Sequence, residues 1–186
     1  MNMWIKVFFI CLIFQNLVFS QSLNKITKLD KKLNEISGLE VLNDSCLVAI
    51  NDGGNKPILF VLNFKGEIIH EVNIKDAKNK DWEDLTIDDQ GNIYIADIGN
   101  NLNQRKDLCI YKVNSDSILF KNELSCEEII FQYEDQTSFP PNKDQFNFDS
   151  EAIAYFQNYL FLLNAEQNLL RESQMFINFL VQLGIK

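Results

Sequence analysis

Apolar residues along this chain fall in short runs closed by Asn, Asp or Gly, as in Cys46-Leu-Val-Ala-Ile-Asn-Asp, Pro57-Ile-Leu-Phe-Val-Leu-Asn, Asn92-Ile-Tyr-Ile-Ala-Asp and Leu108-Cys-Ile-Tyr-Lys-Val. Runs of this length, rich in β-branched and aromatic residues and bounded by turn formers, predict strands. Pro57–Asn63 leads through Phe64-Lys-Gly66 into Glu67-Ile-Ile-His-Glu-Val-Asn-Ile, an antiparallel hairpin by its alternation and its glycine. Asp88-Asp-Gln-Gly91-Asn92 reads as a second hairpin turn, with Gly91 supplying the left-handed position.

The runs repeat. Glu35-Ile-Ser-Gly-Leu-Glu-Val-Leu precedes Cys46–Asp52, Glu83-Asp-Leu-Thr-Ile-Asp precedes Asn92–Asp97, and Glu151-Ala-Ile-Ala-Tyr-Phe precedes Tyr159-Leu-Phe-Leu-Leu-Asn. Each unit opens on a glutamate and ends its second strand on Asn or Asp. The first two units continue with two further strands, the second of them with Leu108–Val113 and Glu127–Tyr133. A four-stranded unit of about 40 to 50 residues, repeated, predicts the blades of a β-propeller. A β-sandwich with coincidental spacing would leave the recurring glutamate without a reason. The expected fold is therefore all-β: two meander blades and the start of a third over residues 35–164.

The ends read differently. Val7–Phe14 and Leu17-Val-Phe-Ser20 follow a lone Lys6, which predicts a signal helix over residues 1–20 cut before Gln21. The run is too short and too interrupted for a spanning helix, which needs about 20 apolar residues. In segment 21–34, Lys25-Ile-Thr-Lys-Leu has the pattern of a single outer strand that closes a ring. Beyond Asn164, Leu169, Leu170, Phe176, Phe179, Leu180 and Leu183 fall at helical spacing, so residues 165–186 are expected to form an apolar helical tail foreign to a propeller. A frameshift near Ala165, truncating a longer ring, would account for that change.

Charge narrows the partners. The chain carries 26 acidic and 17 basic residues, for a net charge of −9, and losing the signal shifts it to −10. That balance argues against nucleic acid, which calls for a basic stripe. It suits an exported, secreted or periplasmic protein that holds cations. Cys46, Cys109 and Cys126 outside the signal are odd in number and form no CxxC or Cys/His spacing, so neither a disulfide framework nor a zinc site is expected. Cys46 and Cys109 lie inside apolar runs and read as small buried hydrophobes.

In a propeller the innermost strands line a central channel, so Glu35, Glu83 and Glu151 are expected to converge at one mouth. Asp52 and Asp97, at the ends of the second strands, add oxygens. These five are the candidate metal ligands, and hard oxygens in an exported protein suit calcium. A single Asp in such loops also reads as ordinary turn chemistry, whereas a turn does not demand Glu. Trp82 reads as a wedge between blades and Arg105 as half of an ion pair. His70, the lone histidine, alternates with apolar residues on a strand, and no nucleophile elbow or P-loop occurs.

The strings LNEISGLE, AINDGG, DWEDLTIDDQGNIYIADIGNN and FDSEAIAY, spread from Leu33 to Tyr155, resemble the secreted propeller proteins of Gram-negative bacteria grouped with the SdiA-regulated and esterase-like phytase families. More distantly the chain is similar to NHL-repeat and regucalcin-type rings. The resemblance runs from Glu35 to Leu162 and stops at Asn164. It implies a six-bladed ring, export, and a divalent metal held in the channel by Glu, Asn and Asp; some regucalcin-type relatives hydrolyse lactones. The expected function is a binding or scaffold module, calcium-associated, that recognises a small molecule or a protein at its channel face, and that is non-functional in a truncated ring. The alternative is a metal-dependent hydrolase of esters, lactones or phosphoesters.

Overall fold

The computed structural model describes residues 24–164 and the backbone of Phe176–Gln182. The signal segment and most of 165–186 lie outside the described residues. Among the described residues there is no α-helix, only two single-turn 3-10 segments at Lys31–Leu33 and Lys143–Gln145, and no helix long and apolar enough to cross a membrane.

The chain forms three antiparallel meanders. The first comprises β1 (Ile36–Asn43), β2 (Cys46–Asn51), β3 (Ile58–Asn63) and β4 (Ile68–Lys75). The second comprises β5 (Trp82–Ile87), β6 (Asn92–Asp97), β7 (Leu108–Asn114) and β8 (Glu123–Phe131). The third comprises β9 (Ser150–Phe156), β10 (Tyr159–Asn164) and β11 (Phe176–Gln182).

One device makes three of the hairpin turns. Asn43 Oδ1 accepts the amides of Ser45 and Cys46, Asn63 Oδ1 those of Lys65 and Glu67, and Asp88 Oδ1 those of Gln90 and Asn92. A short polar side chain mimics the turn backbone in this way. Gly91, at φ +80°, takes the left-handed position its place in the sequence predicts.

Asn73–Lys75 of β4 pairs in parallel with Glu123–Ser125 of β8, which joins the first two meanders into one sheet of order β1-β2-β3-β4-β8-β7-β6-β5. That sheet folds back until its terminal strands meet, giving a nearly closed, barrel-like outline. The approach is close enough to require Gly38 on β1, where a methyl group would stand 2.9 Å from Leu85 N and 3.1 Å from Asp84 Cα of β5. The interior between the two halves is apolar and includes Val48, Ile50, Leu59, Val61, Trp82, Leu85, Ile93 and Ile95. A second core, with Tyr94, Ala96, Ile110, Ile153, Leu160 and Leu162, lies between the second and third meanders.

One expectation changes. Phe176–Gln182 is a strand, not part of a helical tail: the free edge of β10 offers a row of unpaired amides and carbonyls, and the aromatic and β-branched content of FINFLVQ suits that template better than a helix. Lys25–Leu29 joins no ladder among the described residues; Leu29 packs with Leu33 against the outer face of the first meander. The parallel seam between β4 and β8 has no signature in local pattern. Trp82 is the expected wedge, fully buried between the first two meanders beside Tyr111, with Nε1 donating to Lys78 O at 3.1 Å.

Candidate functional site

The inner strand of every meander carries a bulge at the same place. Between Ile36↔Asn51 and Gly38↔Ile50, between Trp82↔Asp97 and Asp84↔Ala96, and between Ser150↔Asn164 and Ala152↔Leu163, one extra residue bows out: Ser37, Glu83 and Glu151. Such bulges re-aim a side chain away from the pleat. The ladder thus aligns Glu35 with Asp81 and Asp149, one residue ahead of the paired position, and not with Glu83 and Glu151. The main chain agrees, because Glu35 O accepts from Asp52 N at 2.8 Å as Asp81 O accepts from Ile98 N at 3.1 Å. The repeated element is an acid two residues before the bulge: Asp81-x-Glu83, Asp149-x-Glu151 and Glu35-x-Ser37.

These bulges gather carboxylates from different meanders. Oxygens of Asp52, in the loop after β2, and of Asp81 and Glu83, at the start of β5, lie within 4.8 Å of one another. Asp52 is exposed, while Asp81 and Glu83 are half-buried. Room for the cluster comes from two glycines two residues beyond equivalent ladder positions. A methyl group at Gly53 would strike the Asp81 side chain and stand 2.8 Å from Lys80 O, and one at Gly99 would strike the carboxyl groups of both Asp81 and Glu83.

Burial raises the pKa of Glu83, and the charges of Glu151, Asp81, Asp52 and Asp149 add to it, pushing it up to about 8. Burial likewise raises Asp81, against the opposing pull of Arg105. Glu151, on the exposed rim, is raised by partial desolvation and by neighbouring Asp149. No donor among the described residues hydrogen-bonds to the Glu83 carboxylate. Carboxylates brought together without a counter-charge hold protons more tightly, and a cation would replace those protons.

Of the five residues singled out by sequence, Asp52 and Glu83 stand in this cluster and Glu151 faces it. Glu35 is bonded through its backbone to Asp52, but its carboxylate is not part of the cluster and accepts from Asn55 Nδ2 at 2.8 Å. Asp97 is buried and committed elsewhere: its Oδ1 accepts Asp81 N at 2.9 Å and pairs with Arg105 Nη2 at 3.0 Å. Sequence reasoning passed over Asp81, whose signal was the recurring acid-x-Glu at residues 81–83 and 149–151.

No family model matches the chain, and no curated protein matches it in sequence.

The loop beside the cluster is built for rigidity. Asn100 Oδ1 accepts the amides of Gln104 and Arg105, both at 2.9 Å, while Asn100 N donates to Asp149 Oδ1 at 2.6 Å and its Nδ2 to Phe148 O. Asn103, at φ +50°, accepts Phe148 N on Oδ1 at 2.8 Å. Arg105 donates to Gly99 O at 2.8 Å as well as to Asp97, fixing the strand end that carries Gly99. The polar string ADIGNN thus serves architecture on one side of the cluster and makes space on the other. His70 is turned to Lys121 O, and Cys46 and Cys109 are buried free thiols, as their apolar surroundings predict.

Proposed function

We propose that the chain is a β-propeller-type binding or scaffold module of the cell exterior, whose inner-strand bulges hold calcium at the mouth of the channel. The observation that carries this reading is the meeting of Asp52, Asp81 and Glu83 within 4.8 Å, contributed by two successive meanders, with Asp81 and Glu83 at positions that Asp149 and Glu151 repeat. The donor set fits the ion: carboxylates are hard oxygen ligands, and calcium takes 6 to 8 oxygens in flexible geometry, so Glu151 and water would complete the shell. Repeated four-stranded units with bulged inner strands support the propeller assignment. The bound cation would fix the mouth at which a small molecule or a protein partner docks.

Calorimetric titration of the purified chain with calcium tests the proposal. Heat of binding with a raised Tm is expected, and both should vanish in Glu83→Gln; a chain that shows neither heat nor thermal shift overturns it. Glu83, whose proton is held to about 8, also has the character of a general acid–base group beside a cation site, which favours hydrolysis of an ester, lactone or phosphoester as the second reading. Turnover of such substrates, dependent on calcium and lost in Glu83→Gln, would establish it over simple binding.

A further inference from the structure

The two ends of the molecule differ in kind. Each meander starts its inner strand at the acidic mouth, where Asp52, Asp81, Glu83, Asp149 and Glu151 gather. The turns joining β1 to β2, β3 to β4, β5 to β6, β7 to β8 and β9 to β10 therefore share the opposite end. All three exposed phenylalanines among the residues with described side chains stand at those turns: Phe64 at 53 % exposure, Phe120 at 85 % and Phe156 at 61 %. Leu119 adjoins Phe120. Ile26, 86 % exposed, belongs to the same end because Thr27 and Leu29 lie against Gly66 of the β3–β4 turn. A single exposed apolar side chain needs no explanation, but the confinement of the phenylalanines to one end does.

These side chains project singly. Lys65 and Gly66 follow Phe64, Lys121 and Asn122 follow Phe120, and Gln157 and Asn158 follow Phe156, so polar turn residues separate the rings. A protein interface is built round a contiguous, closely packed core, whereas a lipid phase imposes no shape and takes apolar side chains one at a time. Charge fits the same surface: Lys25 and Lys28 flank Ile26, Lys65 follows Phe64 and Lys121 follows Phe120, all exposed. Their apolar stems let the rings sink while the ammonium groups stay at the level of the phosphates. These four lysines balance Asp44, Glu67, Asp89 and Asp116 at this end, so an anionic surface repels the mouth and not the turns. The apolar runs Val7–Phe14 and Leu17–Phe19 close shortly before the chain enters the fold at this end, and the sequence predicts their passage into a membrane during export.

We propose that the turn end is a membrane-docking face. It rests on a phospholipid bilayer containing anionic lipid, with Ile26, Phe64, Leu119, Phe120 and Phe156 in the interfacial layer and Lys25, Lys28, Lys65 and Lys121 at the phosphate groups. The acidic mouth then faces the water, open to its ligand. This contact is peripheral and spans nothing, and it is independent of whether a cation binds.

Introduced tryptophans test the orientation. Phe64→Trp, Phe120→Trp and Phe156→Trp each place an indole at the turns, and Leu102→Trp places one beside the mouth. All four positions are exposed, so the fold is kept, and an unchanged Tm checks it. Vesicles of phosphatidylcholine and phosphatidylglycerol with brominated acyl chains should quench the added emission of the first three and spare the fourth. Trp4 and Trp82 are common to every variant and cancel. Residues 1–20, where retained, tether every variant alike, so Lys65→Glu with Lys121→Glu reads the contact made by the turns: it should lessen the quenching, as should added salt. Equal quenching at both ends, none at the turns, or quenching indifferent to the charge reversal overturns the proposal. So does turn-end emission that shifts with protein concentration in the absence of lipid, the mark of a second copy covering the face. Calcium titration of the same samples reports separately, so failure of the docking face and failure of the cation site are distinguishable.

Discussion

Glu83 sits on an extra residue of β5, and that single displacement brings its carboxyl group to Asp52 and Asp81. Its folded pKa of about 8 lies above the ordinary 4.5, so between those values the folded chain binds a proton that the unfolded chain has released. Stability therefore falls as pH rises through that window and levels off above it. Thermal melting followed from the lower to the upper value should show this decline, and Glu83→Gln should flatten it; saturating calcium should flatten it too. Gly99 is a second test at this scale. An added methyl there would meet both carboxyl groups, so Gly99→Ala should abolish calcium binding while costing about 1–3 kcal/mol of stability, the usual cost of overpacking. A Gly99→Ala chain that still binds calcium with unchanged heat would contradict the assigned cluster. Asp88 shows the opposite tuning: burial disfavours its charge, but hydrogen bonds from Asn92, Tyr94 and Gln90 prevail and hold its pKa low. It is an acid serving a turn.

At the scale of elements, the strands were legible because each hairpin carries its own turn residues: Asn43, Asn63 and Asp88 announce the turns that they cap. The alignment of the units was less so. Glu35 and Glu83 look equivalent in a string of letters, but in the ladder Glu35 stands level with Asp81, two residues earlier, and it is Ser37 that stands level with Glu83. Asp81 was hidden for the same reason, since it precedes the strand and owes its place to space left by Gly53 and Gly99. The tail misled because a free strand edge is a property of the assembled sheet, and FINFLVQ answers to β10 instead of to its own helical spacing. Trp82 locks the first two meanders together; Trp82→Ala should cost about 3–5 kcal/mol, measurable by urea unfolding. Asp84 performs a different task, accepting Ile153 N of β9 at 3.0 Å where no ladder partner exists. Asp84→Ala leaves that amide unpaired and should cost about 1–3 kcal/mol by the same measurement.

The whole molecule is held by two kinds of joint. Between the first and second meanders there is an apolar interior, a backbone seam at Asn73–Lys75 with Glu123–Ser125, and the hydroxyl of Ser37 donating to Trp82 O at 2.8 Å. Between the second and third there is an apolar interior without a seam among the described residues: the inner strands meet through side chains, Asp84 to Ile153 N and Thr86 Oγ1 to Tyr155 N at 3.2 Å. β11 covers one edge of β10, and a chain ending at Asn164 would uncover it, so such a chain should aggregate more readily in light scattering than the full one. The seam has a further consequence, for the rates at which amide protons exchange with solvent. Two sheets that share a ladder cannot separate without breaking it, so the first eight strands should open as one cooperative unit. The third should open alone, at a lower free energy, and its amides should take up deuterium first.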